Sequence, residues 1–86
     1  MRRSRIDIIC SILFALEPGS MKPTPLMYKS NLSHELFIKY LADLQTAGLI
    51  KKITTKGTNM YALTEQGEVY MKEYHRFLKF SSSFGL

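Results

Sequence analysis

Apolar residues recur at helical spacing early in the chain, from Ile8 to Leu16. Ser4 and Asp7 stand just before this run with the spacing of a capping box, which begins a helix. Pro18-Gly19 then interrupts the pattern. The sequence therefore predicts a first helix over residues 5–17, with an apolar face wide enough to cross the centre of the core.

Two further helices are predicted after this break. Thr24 suits a helix cap and Pro25 suits the first helical position, so a short helix is expected over 25–30, preceded by a loop or a short edge strand. Ser33 then caps a longer helix over 33–47, and Gly48 suits a left-handed stop. A short helix, a tight turn and a longer helix in succession are typical of the helix-turn-helix motif.

The longer of these two helices is amphipathic on a helical projection. Its apolar side consists of Leu36, Phe37, Tyr40, Leu41, Leu44 and Ala47. Its other side consists of His34, Glu35, Ile38, Lys39, Ala42, Asp43, Gln45 and Thr46. In a helix-turn-helix motif the second helix enters the major groove of DNA, so this second side is the candidate recognition surface.

After Gly48 the pattern changes from helical to β-prone. Residues 49–54 and 60–63 flank a turn-rich segment and predict a hairpin with a basic tip, which fits the wing of a winged helix. Thr64 then caps a fourth helix that is expected to end near residue 80. Its side chains Tyr70, Tyr74, Phe77 and Leu78 form one apolar stripe, while Val69 and Met71 are expected to reach back toward the domain.

The predicted fold class is α+β, mainly α: a winged helix-turn-helix with a three-helix core, a β-hairpin wing and a C-terminal helix. Residues 1–86 are expected to form one domain, with a core over 5–63, the C-terminal helix over 64–80 and a patternless tail over 81–86. A hydrophobic share of 45% in 86 residues suits one small core.

The net charge of the chain indicates a class of binding partner. The formal net charge is +5, which favours a polyanion. Lys51, Lys52 and Lys56 lie in a stretch between Asp43 and Glu65 that contains no acidic residue. The hairpin is therefore the expected contact with backbone phosphates.

Several classes of protein are not expected. The lone Cys10 lies in an apolar run and suits a reduced, buried thiol. The basic start of the chain and the apolar run after it lack the cleavage site of a secretory signal and the length of a membrane span, so a cytoplasmic protein without membrane attachment is expected. Cys10, His34 and His75 lack the spacing of metal ligands, and no catalytic motif is present, so no metal, cofactor or enzymatic activity is expected.

Candidate DNA contacts fall at helix ends, on the polar side of the third helix and on the hairpin. Hydroxyls and a cation at helix ends suit phosphate, although capping alone accounts for Ser33. His34 fits either a base or phosphate contact or a solvated side chain, and Ile38 fits either a thymine methyl or ordinary surface. The complete set is Lys29, Ser30, Ser33, His34, Ile38, Lys39, Gln45, Lys51, Lys52 and Lys56. Core packing is the expected role of Tyr28, Phe37, Tyr40 and Tyr61, in preference to stacking on single-stranded bases.

Several motifs, in this order, resemble the small archaeal winged helix-turn-helix DNA-binding regulators. They are Arg5-Ile6-x-Ile8-Ile9, Tyr28-x-Ser30-Asn31-Leu32-Ser33, Tyr40-Leu41-x-x-Leu44, Gly48-Leu49-Ile50 and Leu63-Thr64-x-x-Gly67. The resemblance covers residues 5–79 and implies a double-stranded DNA partner and a role in transcription. It also implies a homodimer through an antiparallel coiled coil of the last helix, with Tyr70, Tyr74, Phe77 and Leu78 as the dimerisation residues. The last helix lacks the long heptad extension of the coiled-coil members.

Two alternatives stay open at the level of sequence. A winged-helix domain can also serve as a protein-interaction module whose DNA-facing side is idle. A non-specific chromatin-coating protein differs from a regulator only in its ratio of specific to non-specific affinity, which the residues do not reveal.

Overall fold

The computed structural model describes residues 4–86, so Arg2 and Arg3 of the basic start lie outside the described residues. The elements in chain order are α1 (Arg5–Leu16), α2 (Pro23–Ser30), α3 (His34–Thr46), β1 (Ile50–Thr55), β2 (Thr58–Leu63) and α4 (Glu65–Ser82). The two strands form an antiparallel hairpin, and Met21 bridges to Tyr61 beside β2. The predicted fold class and the predicted order of elements are confirmed.

Helix α1 lies at the centre of the core. The Asp7 amide donates to Ser4 Oγ at 3.1 Å and the Ser4 amide donates to Asp7 Oδ2 at 3.2 Å, which confirms the capping box. The buried residues of this helix are Ile8, Cys10, Ile12, Leu13, Ala15 and Leu16. Burial, and then the nearby charge of Asp7, raise the pKa of the Cys10 thiol to about 11, so this side chain packs as a neutral hydrophobe at neutral pH.

Helix α2 begins two residues earlier than its sequence predicts. Pro23 is the first helical residue and Lys22 is the N-cap, without a side-chain hydrogen bond. The predicted cap at Thr24 is therefore wrong, because this residue already lies in the first turn. Either proline can begin a helix, since neither has an amide hydrogen to leave unpaired. The helix ends at Asn31, which is left-handed with φ +56°.

Helix α3 has the predicted termini. Ser33 Oγ accepts from the Leu36 amide at 3.3 Å, and Gly48 adopts a left-handed φ of +78° after the helix. Phe37, Tyr40, Leu41 and Leu44 are buried in the common core, as predicted. Leu36 and Ala47, which were expected on the apolar side, are exposed because they lie at its borders.

The hairpin closes more tightly than the predicted five-residue turn. Thr55 pairs with Thr58, so only Lys56 and Gly57 remain between the strands. Their φ values of +50° and +78° are those of a type I′ turn, whose twist matches that of the strands.

Helix α4 is seated by contacts at its start. Thr64 Oγ1 accepts from the Gly67 amide at 3.0 Å and donates to the Gly48 carbonyl, and the Thr64 amide donates to Leu49 O at 3.1 Å. A Cβ atom on Gly67 would overlap the Leu49 carbonyl oxygen. The glycine thus permits the first turn of α4 to pack directly on the link between α3 and β1.

Beyond this start, α4 differs from the prediction in two ways. It continues to Ser82, two residues past the expected end, and Val69 is exposed, so only Met71 of the expected pair reaches the core. No helix within residues 4–86 is both long and apolar enough to cross a membrane.

We expect Gly67→Ala to lower the free energy of unfolding by about 1–3 kcal/mol, because the clash involves backbone that cannot rotate away and outweighs the better helix propensity of alanine. Urea denaturation checks the value. The exposed neighbour in Gln66→Ala is the control and should change the free energy of unfolding by less than about 0.5 kcal/mol. Equal stability of Gly67→Ala and the wild type would contradict the close packing.

Candidate nucleic-acid interface

The side of α3 that faces away from the core brings together four predicted contacts. His34, Ile38, Lys39 and Gln45 are all exposed, and Ile38 is 49% exposed near the middle of the helix. His34 and Ile38 lie on the border that faces α2, where they line a small cavity together with Thr24. The structure thus presents a continuous external surface on this helix, as the sequence predicts.

The charges on this surface are mixed. Glu35 and Asp43 are exposed on the same helix as Lys39. The Lys39 Nζ atom lies 5.4 Å from the centroid of the Tyr40 ring, within the range of a cation–π contact. A surface with both signs of charge and an apolar centre suits the reading of base edges better than uniform contact with phosphates.

The predicted contacts at the helix ends do not all reach the surface. Ser30 is 1% exposed and its hydroxyl donates to the Leu26 carbonyl at 2.7 Å, so the prediction that it contacts phosphate is wrong. Ser33 is exposed and caps α3. Lys29 is exposed, but it follows Met27 by two residues and therefore lies on a different side of α2 from the contact with α3.

The three hairpin lysines are exposed but do not form one patch. Successive residues of a strand point to opposite faces, so Lys51 and Lys52 lie on opposite faces of the hairpin. Lys52 pairs with Tyr61, while Lys51 pairs with Ala62. Lys56 lies at the tip, in the two-residue turn between the strands.

The conformation of Lys56 is unusual for its residue type. Its φ of +50° is left-handed, a region that asparagine and glycine adopt more readily than lysine. The two-residue type I′ turn requires this conformation at both central positions, so the tight closure of the hairpin accounts for it.

Three of the four aromatic residues assigned to the core are buried: Phe37, Tyr40 and Tyr61. The fourth assignment is wrong, because Tyr28 is 74% exposed. It follows the fully buried Leu26 by two residues, which places it on the opposite side of α2 from the core.

The predicted stripe on α4 is divided between the core and the surface. Tyr70 and Tyr74 are half-buried, and their pKa values are raised, chiefly by burial and then by Cys10. Tyr74 also packs edge-on against Phe14 of α1, with ring centroids 6.1 Å apart. Phe77 is 61% exposed and Leu78 is also exposed, so the second half of the stripe faces outward.

An apolar groove runs beside this stripe. Its lining residues are Ile6, Tyr70, Glu73, Tyr74 and Phe77. Next to it, His75 Nε2 lies 3.7 Å from Glu17 Oε1, and the His75 ring packs against Phe14 at 4.9 Å between centroids. These contacts hold the middle of α4 against α1 and leave the groove open on its outer side.

The last residues of the chain add apolar surface that the sequence interpretation missed. Phe80 and Phe84 are exposed, and their rings meet edge to face with centroids 5.1 Å apart. Their spacing of four residues is a recognisable helical signal that the assignment of residues 81–86 to a patternless tail overlooked. In the described part of the chain, no three histidine, cysteine or acidic side chains lie together as metal ligands.

Comparison with known proteins shows which family shares this sequence and fold. The family model for winged helix-turn-helix proteins matches residues 2–82. MJ0287 of Methanocaldococcus jannaschii is 35% identical over 77 residues, which are 88% of this chain and 75% of that protein. The crystal structure of Sso10a-2, a DNA-binding protein from Sulfolobus solfataricus, has a TM-score of 0.79 at 22% identity, covering 95% of this chain and 85% of that one.

A bacterial protein that was solved with DNA shares the same fold. Streptococcus pneumoniae FabT, in a crystal structure with DNA, has a TM-score of 0.73 at 18% identity, covering 95% of this chain and 63% of that one. The sequence match to nearly the whole chain, the archaeal relatives and the helix-turn-helix followed by a hairpin agree with each other. The chain belongs to the winged helix-turn-helix family.

Proposed function

We propose that this protein is a homodimeric transcription regulator that binds double-stranded DNA sequence-specifically, with α3 in the major groove and the hairpin on the backbone. The exposed side of α3, next to a lysine-tipped hairpin, is the observation that carries the proposal. The fold likeness to Sso10a-2 and to FabT, which was solved with DNA, supports it.

The dimensions and chemistry of α3 suit a groove. Its 13 residues span about 20 Å, and an α-helix fits the width of the major groove. Gln45 can pair with adenine and Lys39 with guanine or phosphate, while Ile38 can contact a thymine methyl. Sequence preference would come from these few side chains.

The hairpin would supply affinity without sequence preference. Each lysine that neutralises a phosphate releases a condensed counterion, so its contribution falls as the salt concentration rises. Lys56 is exposed at the tip of the hairpin, and Lys51 and Lys52 point to opposite faces of it. At most two of the three are therefore expected to reach the same stretch of backbone.

Dimerisation through α4 is supported by the apolar surface at its outer half. Phe77, Leu78, Phe80 and Phe84 are all exposed within eight residues. Surfaces of this kind on small proteins mark interaction sites. A two-fold axis would also relate two recognition helices, which is the arrangement that paired DNA half-sites require.

The charges along α4 favour an antiparallel partner. Glu65 and Glu68 lie toward its start and Arg76 and Lys79 lie toward its end, while Lys72 and Glu73 are neighbours at its middle. In an antiparallel pair, the acidic start of one helix faces the basic end of the other, so a second copy complements it.

The proposed function is tested by titrating the protein with a random-sequence duplex at two salt concentrations, followed by selection of bound sites. We expect binding that weakens steeply with salt, and selected sites with two-fold symmetry. Absence of binding at low salt would favour the interaction module. Binding with no enriched sequence would favour the non-specific coating protein.

Lys56→Asn should weaken binding to every duplex alike and reduce the slope of log K against log salt by about 0.9, because one phosphate contact is lost. The same change should stabilise the fold by about 0.5 kcal/mol, because asparagine suits the left-handed turn. Anisotropy titrations and urea denaturation measure the two effects. Lys72→Gln on α4 is the control for charge, and an unaltered salt slope in Lys56→Asn would rule out the wing contact.

Phe77→Glu should convert dimers into monomers of 9.9 kDa, because it places a charge in the centre of the apolar surface. Sedimentation velocity measures the mass. Gln66→Glu adds the same charge outside that surface and should leave the dimer intact. A Phe77→Glu protein that sediments as a dimer would show that another surface holds the subunits together.

A further inference from the structure

Helix α2 carries two hydroxyl groups next to the recognition helix. Thr24 and Tyr28 are one helical turn apart and both are exposed. A cavity of about 90 Å³ separates this part of α2 from the start of α3. Its lining residues are Pro23, Thr24, Met27, His34, Phe37 and Ile38.

This lining fixes where the two hydroxyls lie. Thr24 borders His34 and Ile38, which are two of the exposed residues on α3. Tyr28 follows on the same side of α2, away from Leu26 and the core. The surface proposed to meet DNA therefore continues from the start of α3 onto α2.

Folding does not account for either side chain. Thr24 is not the cap of α2, and the Tyr28 side chain is 74% exposed in the last turn of that helix. Within residues 4–86, neither hydroxyl is hydrogen-bonded to another group of the protein. Two hydroxyl groups thus stand on the surface with their hydrogen-bonding capacity available.

We propose that Thr24 and Tyr28 donate hydrogen bonds to phosphate oxygens of the DNA and so position the first turn of α3 in the groove. This inference rests on the proposed function. Threonine and tyrosine hydroxyls are among the common partners of DNA phosphates, and such contacts fix the register of a protein on the duplex. The two hydroxyls would hold the DNA backbone at the His34 end of α3. The lysine-tipped hairpin, which begins after Gly48, would hold the DNA backbone beyond the other end of α3.

Hydrogen bonding to phosphate accounts for Tyr28 better than stacking on an unpaired base. Single-strand binding sites stack successive bases on several exposed aromatic rings. Phe37, Tyr40 and Tyr61 are buried, so Tyr28 has no exposed aromatic neighbour among them.

The test is a double variant, Thr24→Val with Tyr28→Phe, which removes two hydroxyl groups and preserves shape and charge. We expect its affinity for every duplex to fall by about 10-fold. The salt slope should stay that of the wild type, because neutral donors release no counterions. Lower affinity with an unchanged salt slope distinguishes the loss of the two hydroxyls from the loss of a lysine, which lowers the slope. Thr24→Ser, which keeps its hydroxyl, is the control and should bind as the wild type.

A double variant that binds as tightly as the wild type would overturn the inference. A large loss of affinity in Tyr28→Ala alongside that result would assign the contact to the ring instead of the hydroxyl. Both outcomes require a wild type that binds DNA, so they leave the proposed function standing. Failure of the wild type to bind at low salt would remove both proposals.

Discussion

Burial of one side of α3 against α1 is the interaction on which the rest of the molecule depends. Phe37, Leu41 and Leu44 pack in the same core as Ile12 and Leu13, and each is almost fully removed from water. Burying one such side chain contributes about 1.5–3 kcal/mol. A rotation of α3 that exposed all three would therefore remove a large part of the free energy of unfolding of a small domain. The opposite side of the helix is therefore held outward, where it can meet a groove.

A second constraint ties the recognition helix to the helix proposed to form the dimer. The start of α4 hydrogen-bonds to Gly48 and Leu49, which link α3 to β1, and Gly67 lets the backbones approach. The His75–Glu17 pair and the Phe14 contacts then hold the middle of α4 on α1. Through this joint, the direction of α4 would set the spacing between two recognition helices in a dimer.

Most of the fold could be predicted from the sequence, because a helix cap or a long periodic run of apolar residues identifies an element without knowledge of how it packs. Ser4, Ser33 and Thr64 cap the helices that they were expected to cap. Helix α2 was harder to predict, because eight residues give too few turns for a reliable period and both of its prolines suit a helix start. The candidate site was predicted less fully. Whether Ser30 is buried and Tyr28 is exposed depends on how α2 packs on its neighbours, and the separation of Lys51 from Lys52 depends on the register of the hairpin.

Amide chemical-shift mapping during titration with duplex DNA tests the central claim most directly, since it identifies the surface that contacts the nucleic acid. The account predicts that the largest changes fall on the exposed side of α3 and at the hairpin tip, with the buried side of α3 affected less. Changes confined to α4, or no changes on α3 at saturating DNA, would contradict it.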